Sequence, residues 1–177
     1  MVSYEGEGSF FVRKTAPNYS VGFSIGQTES EFKVLEAIRD FLLELPGKYK
    51  TTRSARKNSN FVGIYTAKAR KNAKPMVSLM VQNPDFHINV LIPFFDSLPW
   101  YSKKRLDYID WKTILKIKGE GKHFTPEGQI IVKSLAGRMN NNRLSTNLVK
   151  PDNLSDENIQ RLLASESNFE IHPNGKI

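Results

Sequence analysis

The chain contains no cysteine among its 177 residues, which excludes a disulfide framework, a thiol nucleophile and cysteine-ligated zinc. Its three histidines, His87, His123 and His172, are too far apart in the sequence to match metal-ligand spacing. No apolar run approaches the roughly 20 residues of a transmembrane helix, and the N-terminus lacks the basic and apolar stretches of a secretory signal. Neither a GxxxxGK phosphate loop nor an HExxH motif occurs. We therefore expect no membrane partner.

Positive charge is what the chain has in excess, with 26 Lys and Arg against 18 Asp and Glu. Nine of the basic residues lie in residues 48–74, here called the basic segment, which contains no Asp or Glu. The rest of the chain keeps 17 basic residues (26 less 9) against 18 acidic ones, so this segment holds the whole surplus. Such segregation favours a nucleic-acid surface, because a Lys or Arg that neutralises a phosphate gains from counterion release. A solvated basic face that only keeps the protein soluble is the alternative.

The periodicity of apolar residues predicts the order β-β-α-β-β-α followed by helices, an α+β fold with an antiparallel sheet and helices on one face. Strands are predicted over 8–14, 19–27, 61–67 and 75–82, with a basic strand over 48–54. Helices are predicted over 29–45, from 84 to about 92 before Pro93, over 103–118, and over 126–139. Thr28 with Glu31, Asn83 and Thr125 are the expected caps. In the third helix, the residues expected on the inner side are Leu106, Ile109, Ile114 and Ile117.

The clearest strand, residues 19–27, alternates an apolar face with a face of small polar residues that includes Ser20, Gly22 and Ser24. A sheet with one buried face and one smooth polar face can lie close against water or against nucleic acid.

The C-terminal region turns polar after Met139 and contains a predicted linker at 151–153. Ser155 is the expected cap of a short helix over 156–164, and residues 167–177 show a Pro-Asn-Gly turn flanked by strand-like residues. We therefore predict a domain over residues 1–145 and a linker with a helical tail over 146–177.

The N-terminus places two acidic residues, Glu5 and Glu7, between glycines just before the first strand. A carboxylate at such a junction can ligate a hard divalent cation such as Mg²⁺, which prefers oxygen ligands. Solvation of both side chains is the simpler alternative.

Four segments resemble the LAGLIDADG homing endonucleases in the expected order. EGEGSFFV (5–12) is similar to the end of the signature motif, and GFSIGQTE (22–29) to the second strand of the family. KKRLDYIDW (103–111) resembles a later family segment. HFTPEG (123–128), with Arg138, Met139, Asn140 and Arg143, resembles the closing helix. These matches run from about residue 4 to 145.

The resemblance implies a homing-endonuclease-like half-domain whose sheet forms a saddle on double-stranded DNA. It makes Glu7 the catalytic, metal-binding carboxylate, Glu5 a secondary acid and Lys104 a basic residue near the site, with Mg²⁺ as cofactor. Because one motif supplies only one of two carboxylates, a second LAGLIDADG half, in the same or another chain, is needed for cleavage. The chain resembles the C-terminal half of a two-motif, fungal mitochondrial intron-encoded member with a truncated motif helix, which implies a mitochondrial location.

The predicted nucleic-acid contacts combine the smooth strand face with the basic positions. They are Arg13, Ser20, Gly22, Ser24, Lys48, Lys50, Thr52, Arg53, Arg56, Lys57, Lys68, Arg70 and Lys71. Two alternatives remain beside the endonuclease, a maturase that binds group I intron RNA and a non-catalytic nucleic-acid-binding remnant.

Overall fold

The computed structural model describes residues 8–15, 18–50, 62–67, 74–140 and 154–171. The chain forms two compact units, residues 1–102 and residues 103–177. The predicted boundary between residues 145 and 146 lies outside the described residues, so the division into a domain and a tail at that point stays a prediction.

The first unit contains a four-stranded antiparallel sheet with strand order β1-β2-β4-β3. The strands are β1 (Gly8–Thr15), β2 (Asn18–Thr28), β3 (Val62–Ala67) and β4 (Met76–Val81). A 3₁₀ turn (Glu29–Glu31) and helix α1 (Phe32–Glu44) follow β2, and helical residues follow β4. The predicted β-β-α-β-β-α order and the α+β class are therefore confirmed.

The core of this unit lies on one side of the sheet. The register aligns Phe10, Phe23, Val81 and Val62 across all four strands, and each is at most 1% exposed. The Phe95 ring lies 5.3 Å from that of Phe10 and 5.2 Å from that of Phe23. Full burial of one such side chain contributes about 1.5–3 kcal/mol, so this buried row and Phe95 are a main source of the unit's stability.

The helical stretch after β4 changes its winding twice. It consists of α-helical Pro84–Phe86, π-helical His87–Leu91 and α-helical Ile92–Asp96, together called α2. The Asn83 side chain accepts a hydrogen bond from the Phe86 N–H at 3.0 Å, which confirms the predicted cap. The prediction that this helix ends before Pro93 is wrong. Pro93 lies in the first turn of the last segment, where a proline's missing N–H is tolerated, and the π-helical turns precede it.

The second unit is helical, with α3 (Lys104–Gly119), a 3₁₀ turn (Lys122–Phe124), α4 (Pro126–Gly137), α5 (Asp156–Ala164) and α6 (Asn168–Ile171). Thr125 and Ser155 cap α4 and α5 through their side chains, as predicted. Asn168–Ile171 is helical, which overturns the strand-like interpretation of those residues. No helix in the described part of the chain is long and apolar enough to cross a membrane.

Buried carboxylates connect α3 to the end of α4. Asp110 accepts two hydrogen bonds from Arg138, at 2.6 and 2.9 Å, and Asp107 accepts one from the Asn140 N–H. Both carboxylates are at most 4% exposed. The prediction that Leu106 and Ile109 face inward is therefore wrong, since they are 45% and 43% exposed.

The two described histidines are buried rather than arranged as a metal site. His87 Nε2 lies 3.0 Å from the Val81 carbonyl oxygen. Burial, followed by the positive charge of Lys118, lowers the pKa of His123 to about 4, so this ring is neutral at pH 7. Among the described residues, no group of three or more His, Cys, Asp or Glu side chains is placed to hold a metal ion.

Candidate nucleic-acid interface

The sheet face opposite Phe95 is called here the open face. Because side chains alternate along a strand, the residues next to the buried row point to it. The register aligns Ser9, Ser24, Met80 and Gly63 in one row across the four strands. The small side chains of Ser9 and Ser24 let another molecule approach the backbone of β1 and β2 closely.

The four strands that form the open face contain no acidic side chain. Strand β1 contributes two basic residues, Arg13 and Lys14. Arg13 lies opposite Ser20 in the register and is exposed, whereas Lys14 points to the other side of the sheet. A polyanion that approaches the strands of this face meets no like charge.

Of the predicted contacts on β2, Ser20 and Ser24 are partly exposed and Gly22 is buried. Gly22 lies opposite Phe11, and a Cβ atom at position 22 would lie 2.9 Å from Phe11 Cε1 and closer still to Phe11 Cζ. The Phe11 ring therefore covers the glycine. Sequence reasoning missed Phe11 as part of this face, although two adjacent phenylalanines in a strand must point to opposite sides.

A second aromatic ring occupies the open face at the edge strand β3. The Tyr65 side chain bends back over Gly63 in its own strand, where a Cβ atom would lie 2.7 Å from the Tyr65 hydroxyl. Tyr65 is 56% exposed. Amphipathic aromatic side chains of this kind suit a surface that contacts both water and a ligand.

The described start of the basic segment is anchored at one end of β4. The Lys50 N–H donates to Asp85 Oδ2, and Asn83 Nδ2 donates to the Lys50 carbonyl oxygen, both at 3.1 Å. The Tyr49 ring meets the buried Phe86 ring at 4.9 Å. Lys48 and Lys50 are exposed at this anchor. Residues 48–50 have no regular secondary structure, so the predicted basic strand over 48–54 is wrong where the structure describes it.

The other predicted site residues are not part of the open face as described. Lys104 is the first residue of α3 in the second unit. The remaining ones lie outside the described residues, namely Glu5, Glu7, Thr52, Arg53, Arg56, Lys57, Lys68, Arg70 and Lys71.

The topology nevertheless relates the basic segment to the sheet. The segment runs from residue 48 to residue 74, and β3 is its only described strand. β3 is an edge strand in the order β1-β2-β4-β3. The described part of the basic segment therefore contributes one edge strand to the sheet.

The four-stranded antiparallel sheet, with helices against one face, matches the fold of the LAGLIDADG meganucleases. Residues 48–115 match the family model of the LAGLIDADG endonucleases. The predicted resemblance to that family is confirmed, in sequence and in fold.

Three relatives illustrate the similarity. The uncharacterized mitochondrial protein RF1 of Saccharomyces cerevisiae is 30% identical over 158 residues, which cover 86% of this chain and 32% of that protein. The LAGLIDADG meganuclease I-AabMI, in a crystal structure bound to uncleaved DNA, is 26% identical with a TM-score of 0.56, over 77% of this chain and 42% of that one. Meganuclease I-SmaMI, in a crystal structure bound to uncleaveable DNA, shares the fold at 20% identity with a TM-score of 0.60. The match covers 90% of this chain and 50% of that one. The chain thus spans half or less of each of these relatives.

Proposed function

We propose that this chain is one half of a LAGLIDADG-type DNA endonuclease and binds double-stranded DNA with its open face. The observation that carries the proposal is the composition of that face, whose four described strands combine small side chains, two aromatic rings and an exposed Arg13 and contain no acidic residue. Arg and Lys side chains bind phosphate or the edge of a guanine, and a face without carboxylates adds no repulsion.

The comparisons support this assignment. Both meganucleases named above were crystallised with DNA, and each is matched over half of its length or less. A half-length match agrees with a chain that supplies one of two similar halves. The mitochondrial yeast relative supports a mitochondrial location. The organelle-encoded, intron-derived origin is part of the proposal and follows from the family resemblance alone.

Cleavage, in this proposal, uses Glu7 as the ligand of a divalent metal ion, with Glu5 as a secondary acid. Glu7 directly precedes Gly8, the first residue of β1, and its carboxylate is the hard oxygen donor that Mg²⁺ prefers. One carboxylate does not complete a two-sided site, so a second half must supply the other. A divalent metal ion held by Glu7 and a carboxylate of the second half would supply positive charge to polarise the phosphate and stabilise the charge that develops during hydrolysis.

The double variant Lys50→Ala/Arg53→Ala tests the binding surface. We expect weaker binding to a duplex, because two positive charges of the basic segment are lost. The slope of log K against log salt is expected to fall by about 2, since each phosphate contact contributes about 0.9. Fluorescence anisotropy with a labelled duplex at several salt concentrations measures both quantities.

The matched control is Lys33→Ala/Arg39→Ala, which removes the same charge from α1. This helix belongs to the opposite side of the sheet, because Phe41 meets Phe94 at 5.6 Å and Phe94 meets Phe95 at 5.4 Å. We expect the control to keep the wild-type slope. An equal loss in both variants, or an unchanged slope in Lys50→Ala/Arg53→Ala, contradicts binding through the basic segment.

A further inference from the structure

Three residues on the open face form a stack across β1 and β2. Gly22 lies at the bottom, the Phe11 ring covers it, and the Arg13 guanidinium lies over the ring with Cζ 4.7 Å from the ring centroid. Phe11 is only 9% exposed although it points away from the core. The stack thus places the exposed Arg13 guanidinium on the Phe11 ring, and the ring itself is held in place by burial.

The glycine is what allows the stack to form. A Cβ atom at position 22 would lie 2.7 Å from the Val81 carbonyl oxygen, 2.9 Å from Phe11 Cε1, and closer still to Phe11 Cζ. Any other residue would therefore push the ring off the sheet. Aromatic side chains placed over a cross-strand glycine in this way also stabilise the pairing of the two strands.

The stack has a consequence for recognition. A freely moving arginine side chain loses conformational entropy about several rotatable bonds when it binds. An arginine whose guanidinium is already held over a ring loses less of this entropy. Stacking covers the plane of the guanidinium and leaves its N–H edge available. That edge donates two parallel hydrogen bonds, which match O6 and N7 of guanine in the major groove.

We propose that Arg13 reads a guanine and that Phe11, seated on Gly22, is the positioning residue that holds it for this contact. The inference rests on the proposed function, because it needs duplex DNA on the open face. It adds an aromatic ring that sets base preference without touching a base.

The test compares variants of the full chain by selection from a duplex library with randomised positions. Arg13→Lys keeps the charge and is expected to lose preference for guanine at one position by about tenfold, with the salt slope unchanged. Phe11→Leu is expected to reduce the same preference about two- to fivefold, the range of an exposed cation–π contact. Phe11→Tyr keeps the ring and is expected to keep the preference.

Tyr65→Leu is the matched control, since Tyr65 also covers a glycine on the open face. It is expected to leave the preference at the Arg13 position unchanged. A second measurement is independent of DNA: the δ protons of Arg13 are expected to show an upfield ring-current shift by NMR, which Phe11→Leu abolishes and Phe11→Tyr retains. The NMR spectrum of each variant also shows whether it is folded.

The outcomes separate this inference from the proposed function. If the wild-type chain enriches no duplex sequence, the proposed function fails and this inference with it. If the wild type has a guanine preference that Arg13→Lys removes and Phe11→Leu does not change, Phe11 does not position Arg13. If Arg13→Lys preserves every base preference, Arg13 does not read a guanine. Either of these last two results overturns the inference while the proposed function stands.

Discussion

Glu7→Gln is expected to lower the cleavage of duplex DNA by about a thousandfold or more while DNA affinity stays at the wild-type level. The amide keeps the size of the carboxylate and removes the charge that a divalent cation requires. Metal assistance contributes several kcal/mol of transition-state stabilisation to hydrolysis, which corresponds to this loss in rate. The measurement is single-turnover cleavage of a labelled duplex by a preparation of the chain that is active with its second half.

Glu5→Gln is the matched control for this prediction. It makes the same chemical change two residues earlier, at the position expected to be secondary, so a smaller loss of rate is expected. Cleavage that survives Glu7→Gln at the wild-type rate contradicts the catalytic assignment. The same variant separates the maturase alternative, because RNA binding and intron splicing do not need this carboxylate and are expected to persist.

Gly128→Ala is expected to destabilise the second unit by about 3 kcal/mol, at the upper end of the usual cost of overpacking. A Cβ atom at position 128 would overlap the Lys122 carbonyl oxygen and lie 2.7 Å from the Lys122 carbonyl carbon. That carbonyl cannot move freely, because it accepts a hydrogen bond from the Thr125 hydroxyl at 2.7 Å. The buried Lys122 side chain also binds the Leu163 carbonyl oxygen at 3.0 Å.

Urea unfolding measures this change through the fluorescence of Trp111, which is fully buried in α3, in a Trp100→Phe background. Gly137→Ala is the matched control, since it makes the same substitution in the same helix, where no described atom beyond the neighbouring residues and the helix's own backbone lies within 4 Å of the new Cβ. It is expected to leave the stability unchanged or to raise it by up to about 1 kcal/mol through helix propensity. If the two variants unfold at the same midpoint urea concentration, the predicted clash at position 128 is contradicted.

The sequence predicted those features that depend on local chemistry. Alternation in β2 placed Phe23 in the core, and Asn83, Thr125 and Ser155 were recognisable as caps from the residues that follow them. The predicted capping box at Thr28 is wrong. Thr28 is the residue that precedes the 3₁₀ turn, but its side chain makes no capping hydrogen bond. Thr28 still ends β2, its hydroxyl lies 2.8 Å from that of Ser30, and the Glu29 N–H donates to the Pro75 carbonyl oxygen.

What the sequence could not predict depends on contacts between distant residues. In α3, apolar periodicity favoured Leu106 and Ile109 as inner residues, but Asp110 turns inward to bind Arg138, 28 positions away. The start of the basic segment is held by hydrogen bonds between the Lys50 backbone and the side chains of Asn83 and Asp85, rather than by pairing with a neighbouring strand. On the open face, the composition indicated a smooth polar surface, whereas the cross-strand register places Phe11 over Gly22.

Mapping the DNA-binding surface by NMR is the most direct measurement of whether the open face binds DNA. Backbone amide shifts of the labelled chain are followed as an unlabelled duplex is added. The largest changes are expected at Ser9, Phe11, Arg13, Ser24 and Tyr65, with further changes at Lys48 and Lys50, and none along α1. Shifts confined to α1 or to the second unit, with the open face unchanged, would contradict the account.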